Sequence, residues 1–224
     1  MTGFAGAQRV PDKRVALYQR KKFLSTEDCA GLVALIDSLR RPSTITDAYG
    51  ADADFRTSET ADLPGDDPLV RDVYARLADY AGLNIAHAEA LQGQRYAPGQ
   101  QFKAHTDYFE PTGLDYYPHT ADGGQRTWTL MVYLNEPQAG GATRFVHLNK
   151  LIQPETGKLV AWNNRLADGG VNSFTLHAGM PVRAGTKYVI TAWFRERPRR
   201  NPAVVLTEKA AGAAGASGSL GDRA

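Results

Sequence analysis

Apolar residues recur along this chain at two different periods, and the change falls near Ile85. Before it, Leu32, Leu35, Ile36 and Leu39 follow one another at three- and four-residue steps behind Ser25-Thr-Glu-Asp28, which caps a helix. Asp66-Asp-Pro68 starts a second helix, with Leu69, Val73, Leu77 and Tyr80 along one face. Val15 to Phe23 reads as a first strand. From Ile85 onward the apolar runs are short and divided by turns: Ala88 to Tyr96, Gln101 to His105, Thr127 to Leu134, Ala142 to Phe145, Lys158 to Trp162, Phe174 to His177 and Thr186 to Phe194. Many strands at such intervals indicate a sandwich or barrel, with the two helices packed outside a sheet as scaffold. The expected class is mostly β with flanking helices, an α+β chain around a double-stranded β-helix or jelly-roll core.

At 224 residues the chain has material for one sizeable core. The pattern divides it into a flexible N-terminus over 1–14, a single domain over 15–197, and a low-complexity, disordered tail over 198–224, where Ala210-Ala-Gly-Ala-Ala-Gly-Ala-Ser-Gly-Ser cannot pack a core. The formal net charge is +2, but residues 1–14 carry +2 and residues 195–224 carry +3, so the stretch between them is acidic by three charges. That balance argues against a nucleic-acid surface. One cysteine, Cys29, excludes an internal disulfide framework and suits a reducing compartment. The sequence shows neither the apolar stretch of a secretory signal nor a run approaching the length of a membrane span, so a cytoplasmic protein without membrane attachment is expected.

The candidate chemistry starts with His105-Thr106-Asp107. At the end of a strand, positions i and i+2 project to the same side, so one short stretch supplies an imidazole and a carboxylate together. A third ligand must come from another strand, and His177 lies seventy residues beyond Asp107, room for several antiparallel strands to fold back. Two imidazoles and one carboxylate hold a ferrous ion on one face and leave the other open; zinc would accept the same side chains. In Gly185-Thr-Lys-Tyr-Val-Ile-Thr-Ala-Trp193, alternation puts Lys187, Val189, Thr191 and Trp193 on one side of a strand. A lysine in such an apolar run is costly unless it meets an anion, for which the distal carboxylate of 2-oxoglutarate is suited; an edge-strand lysine that discourages aggregation is the plainer reading.

The ordered blocks Arg95-Tyr96-Ala-Pro-Gly99, His105-Thr-Asp107, Gly123-Gly-Gln-Arg126, Met131-Val-Tyr-Leu-Asn135, Gly140-Gly-Ala-Thr143, His177-Ala-Gly-Met-Pro181-Val and Gly185-Thr-Lys187 with Trp193 resemble the prolyl 4-hydroxylase family of Fe(II)/2-oxoglutarate-dependent dioxygenases. The resemblance covers about half the chain. It implies that His105, Asp107 and His177 bind Fe(II). It also implies that Lys187 meets the distal carboxylate of 2-oxoglutarate, with the hydroxyls of Tyr96 and Thr143 beside it and Tyr133 within reach of the same anion. Arg126 and Trp193 fall where family members line the peptide groove, although Tyr133 and Trp193 read equally well as core aromatics and Arg126 as a solvated loop charge. The implied reaction consumes 2-oxoglutarate and O2, releases succinate and CO2, and hydroxylates an unactivated C–H bond, most naturally of a peptidyl proline. A free amino acid, a small metabolite or another protein side chain is the alternative substrate. The resemblance also admits ascorbate as a further cofactor and leaves the oligomeric state open. Three positions depart from the family: Phe102 replaces a frequent tyrosine, Ala142 the glutamate of a Gly-Gly-Glu-Thr turn, and Arg195 a histidine that some members place against substrate.

Two segments carry further expectations. Asp47 to Asp72 holds eight acidic and two basic residues and reads as a flap for a cationic peptide or as a solvated loop, with Phe55-Arg-Thr-Ser58 resembling a substrate-side strand of the family. The Tyr108 to Gly124 loop could close over substrate or be a simple insertion. Of the remaining histidines, His87, His119 and His147, neither His119 nor His147 has a partner at ligand spacing, and they read as structural or exposed.

Overall fold

The computed structural model describes residues 3–44, 54–114 and 116–200. Strands β1 (Gln8–Arg9) and β2 (Leu17–Arg20) precede helix α1 (Thr26–Leu39), and β3 (Arg41–Pro42) and β4 (Glu59–Asp62) lead into helix α2 (Pro68–Ala81). The remainder is β5 (Gln92–Tyr96), β6 (Phe102–His105), a short helix α3 (Tyr116–Thr120), β7 (Arg126–Tyr133), β8 (Ala139–Gly140), β9 (Thr143–Phe145), β10 (Lys150–Ile152), β11 (Leu159–Asn163), β12 (His177–Gly179), β13 (Val182–Ala184) and β14 (Lys187–Arg195). No helix among the described residues is long and apolar enough to cross a membrane.

Both long helices start where their caps dictate. The Ser25 hydroxyl accepts from the Asp28 N–H at 3.0 Å while the Asp28 carboxylate accepts from the Ser25 N–H, a reciprocal box that satisfies two otherwise orphaned donors. Asp67 accepts from the N–H groups of Leu69 and Val70, Pro68 occupies the first helical position, and Gly82 at φ 66° ends α2 in the left-handed conformation.

The strands form a large sheet in the order β1-β2-β11-β7-β14-β5-β4-β3 and a small one in the order β10-β9-β12-β6, the two sheets of a jelly-roll, while β8 and β13 pair separately. Strand alternation splits the core cleanly into two layers. Met131 and Tyr133 of β7, Val160 and Trp162 of β11, Val189 of β14 and Tyr96 of β5 face the small sheet, where they meet Phe145 and Ile152. Their neighbours Leu130, Val132, Ala161, Ile190, Ala192 and Phe194 face the other way, onto Leu32 and Ile36 of α1 and Val73, Tyr74 and Leu77 of α2. Helix α1 lies so close that a methyl at Gly93 would collide with the Ile36 side chain, so this strand position must lack a Cβ.

Two expectations change. The segment over 1–14, expected to be loose, is packed where it is described: Phe4 stacks on Tyr18 at 4.5 Å, Val10 is buried, and β1 pairs with β2. Phe174 to His177 is not a strand. Ser173–Thr175 forms a 3₁₀ turn because the Asn172 side chain accepts from the Phe174 N–H and Thr175 donates its hydroxyl to Asn172 O, local bonds that outcompete a sheet ladder; β12 begins only at His177. Most of the expected tail, 201–224, and residues 47–53 of the acidic segment lie outside the described residues.

Candidate active site

The small sheet brings the two imidazoles together by register. His105 ends β6 and His177 begins β12, and the two are direct cross-strand partners with ring centroids 4.3 Å apart. Asp107 lies just beyond β6, in a bend rather than in the strand, and turns its carboxylate to both rings: Oδ1 is 3.9 Å from His105 Nε2 and Oδ2 is 4.0 Å from His177 Nε2. One donor atom from each of the three residues lies within 4.8 Å of the others, near enough for a single cation to gather them. Among the described residues this is the one His/Cys/Asp/Glu group able to hold a metal ion.

Local bonds fix each ring. His105 Nδ1 lies 2.7 Å from Lys103 O and His177 Nδ1 lies 2.8 Å from Thr175 O. A carbonyl only accepts, so each Nδ1 carries the proton and each Nε2 presents a lone pair inward. Burial, with His177 alongside, pushes His105 down to about 3, so its ring is neutral and ready to ligate. Burial alone would raise Asp107, but His177, His105 and Arg126 around it bring its carboxyl below the usual range. Phe102 stacks on His105 at 3.5 Å and holds the ring in place.

Behind this triad the same cavity runs between the sheets to Lys187, which is paired with Tyr96 in the β14–β5 register and is only 2% exposed. Its Nζ sits over the rings of Tyr96 (4.8 Å) and Tyr133 (5.4 Å), with no hydrogen-bond or ion-pair partner among the described residues. Burial pushes Lys187 from its ordinary 10.5 to about 7. Thr143 lines the cavity too, and its Oγ1 accepts from the Tyr133 hydroxyl at 2.6 Å. Tyr133 is therefore a core aromatic whose polar end reaches the cavity wall through Thr143. The lysine is no edge-strand residue, since β14 is flanked on both sides by β7 and β5.

A wider groove opens on the other side of the triad, and Arg126 and Trp193 both line it. Arg126 is not a solvated loop charge. It begins β7, forms a two-pronged pair with Glu89 (Nε–Oε1 2.6 Å, Nη2–Oε2 2.8 Å), and lies over the Trp193 ring at 4.0 Å. Arg195 shares the same carboxylate at 2.6 Å and donates to the carbonyls of His119 and Gly124. It thus fastens the Tyr108 to Gly124 loop, whose Phe109 lies under both guanidinium groups. The Trp193 indole N–H is buried without a partner among the described residues.

Four contributors were not singled out by the sequence. Glu89 could have been suspected as an acid between the buried Ala88 and Leu91, a placement that demands a counter-charge. Thr129 and Asn164, which hydrogen-bond in series to Asp107, and Gln94, which accepts from Thr191 in the cavity wall, carry no local signal because their partners lie 22 to 97 residues away. The acidic segment, where described, is scaffold: Glu59 pairs with Arg95, Asp62 with Arg41, and Asp72 with Arg76. Arg56 of the same stretch faces the groove, its guanidinium over Phe102 at 4.8 Å. His87, His119 and His147 stay outside the triad; His119 stacks on Phe109.

Residues 91–195 match the 2OG-Fe(II) oxygenase superfamily. The prolyl 4-hydroxylase subunit alpha-1 of Rattus norvegicus is 35% identical over 146 residues, covering 65% of this chain and 27% of that protein. A putative prolyl 4-hydroxylase of Acanthamoeba polyphaga mimivirus is 32% identical over 149 residues, covering 66% of this chain and 62% of that one. Among solved structures, the 2OG complex of the viral collagen prolyl hydroxylase from Paramecium Bursaria Chlorella virus-1 superposes with a TM-score of 0.62 at 26% identity, over 80% of this chain and 94% of that one. The chain spans less than a third of the length of the rodent alpha-1 subunits it matches. The match extends over the strands that carry the His-Asp-His triad and Lys187, so the candidate site lies within the stretch that is similar to the 2OG-Fe(II) oxygenase superfamily.

Proposed function

We propose that this protein is an Fe(II)/2-oxoglutarate-dependent dioxygenase that hydroxylates a proline within a peptide or protein. The observation that carries the reading is Lys187, a buried ammonium without an anion, at the back of a cavity whose other end is the His-Asp-His triad. An unpaired charge at that depth is expensive, and a dicarboxylate that bridges the two ends removes the expense.

In this reading His105, Asp107 and His177 hold Fe(II), and Lys187 takes the distal carboxylate of 2-oxoglutarate with Tyr96 and Thr143 beside it. When bound, iron and 2-oxoglutarate supply the oxidising power that places one oxygen atom of O2 on a C–H bond as succinate and CO2 leave. The chain's own part is positioning. The two backbone carbonyls fix the imidazole tautomers, the sheets exclude water from the cosubstrate end, and the groove at Arg126 and Trp193 receives the substrate. The groove lined by Arg126 and Trp193 is where an extended peptide would lie. Relatives named for prolyl hydroxylation support proline as the target. The lone Cys29 supports a reducing compartment.

The test is turnover with Fe(II), 2-oxoglutarate and O2 against proline-rich peptides and, in parallel, free amino acids and small metabolites, following succinate and the gain of one oxygen by mass spectrometry. Coupled hydroxylation of a peptide proline supports the proposal. Hydroxylation confined to free metabolites overturns the substrate assignment, and an absence of succinate under all conditions overturns the activity.

A further inference from the structure

Asp107 ends a chain of hydrogen bonds that starts on a neighbouring strand of the other sheet. Thr129, fully buried in β7, donates its hydroxyl proton to Asp107 Oδ2 at 2.7 Å. Asn164, fully buried just past β11, donates an Nδ2 proton to Thr129 Oγ1 at 2.9 Å. A hydroxyl has one proton, and a carboxylate can only accept. With the amide nitrogen of Asn164 toward Thr129, that proton is committed to Asp107. With the amide reversed, the Asn164 carbonyl would compete for it, and Asp107 Oδ2 would be left bare in a buried site.

The observed orientation has a visible cost, for Asn164 Oδ1 is buried with no partner among the described residues. The backbone makes the side chain's position rigid. Asn164 N–H donates to Thr127 O at 2.7 Å, and Asn164 O accepts from Asn172 N–H at 2.9 Å, so the residue is tied both to β7 and to the turn that precedes His177. An orphaned buried oxygen makes Asn164 costly for stability alone.

We infer that Asn164 and Thr129 are positioning residues for the metal: they hold Asp107 Oδ2 on the protein and present Oδ1, the oxygen 3.9 Å from His105 Nε2, as the single carboxylate ligand. The inference rests on the reading of the triad as a metal site, and the experiment separates the two. Co(II) is titrated into the metal-free full chain by calorimetry, with its visible absorption recorded as a report on ligand geometry. The parent is expected to bind one Co(II), and a His177→Ala variant to lose it. Thr129→Val and Asn164→Leu, which keep side-chain shape and remove the donors, are expected to bind about 10- to 100-fold more weakly with altered absorption, and Thr129→Ser to restore affinity to within a few-fold. Parent affinity and parent absorption in both Thr129→Val and Asn164→Leu overturn the positioning role. A parent that binds no Co(II) overturns the metal-site reading and the inference with it. Melting curves of the metal-free variants identify any that fail to fold; if Thr129→Val does, Asn164→Leu decides, weakened binding supporting the inference and parent affinity overturning it.

Discussion

Replacing Lys187 by methionine, which keeps the length of the side chain and removes its charge, should make the cosubstrate-free protein more stable and its hold on 2-oxoglutarate far weaker. Lys187 is 2% exposed and burial moves it from 10.5 to about 7. At about 1.36 kcal/mol per pH unit, that displacement corresponds to about 5 kcal/mol of penalty for keeping the ammonium charged in the fold. Below pH 7 the lysine is charged in both folded and unfolded chains, and the whole penalty is present. Between 7 and 10.5 the folded chain binds fewer protons than the unfolded one, so stability climbs with pH; above 10.5 both forms are neutral and the penalty is gone. Urea unfolding without cosubstrate at pH 7 should therefore show Lys187→Met more stable by about 4 kcal/mol, the gain shrinking as pH approaches 10.5. Bound to a carboxylate the lysine is charged, so 2-oxoglutarate binding should take up a proton and weaken about tenfold per pH unit above 7 in the parent, a dependence absent from the variant. Loss of the buried charge pair should cost about 2–5 kcal/mol of 2-oxoglutarate affinity, measured calorimetrically with Co(II) in place of iron. A Lys187→Met protein less stable than the parent at pH 7, or one that binds 2-oxoglutarate equally well, would refute the reasoning.

Two further perturbations probe the frame around the site. Glu89→Gln leaves the Arg126 and Arg195 guanidinium groups buried without their shared carboxylate, so unfolding free energy should fall by about 3–5 kcal/mol in urea titrations. An effect below the error of the titration would mean the pairs are solvated in solution. Gly93→Ala pushes a methyl into Ile36 of α1 and should cost about 1–3 kcal/mol by the same measurement, with metal affinity unchanged because the collision lies on the helix side of the sheet; an unchanged midpoint would show that α1 is not seated there.

What the residues disclosed in advance was whatever depends on local period or short spacing. The alternation around Lys187 placed its side chain inside, and the caps at Ser25 and Asp67 set the helix starts, because each is decided by neighbours within four positions. The pairing of His105 with His177 was legible only as a separation compatible with folding back; the register that makes them cross-strand partners is a property of the whole small sheet. Thr129 and Asn164 stayed hidden for the same reason, as did the fastening of the loop by Arg195, since a hydrogen bond across 22 to 76 residues leaves no local trace. The segment before His177 misled because Phe174 and Leu176 look like strand residues while Asn172 and Thr175 bond locally and curl it into a turn. The N-terminal segment misled because its anchor is a single aromatic, Phe4, whose partners Tyr18, Tyr80 and Trp128 are distributed along the chain.

The most direct test of the central claim, that one cavity holds a ferrous ion on His105, Asp107 and His177 and a dicarboxylate on Lys187, is an anaerobic titration of the full chain with Fe(II) and 2-oxoglutarate followed by visible absorption. The account predicts a metal-to-cosubstrate charge-transfer band that needs both components, saturates at one of each per chain, disappears in His177→Ala and requires much higher 2-oxoglutarate in Lys187→Met. No band at saturating concentrations, or a band of parent strength and affinity in both variants, would contradict it.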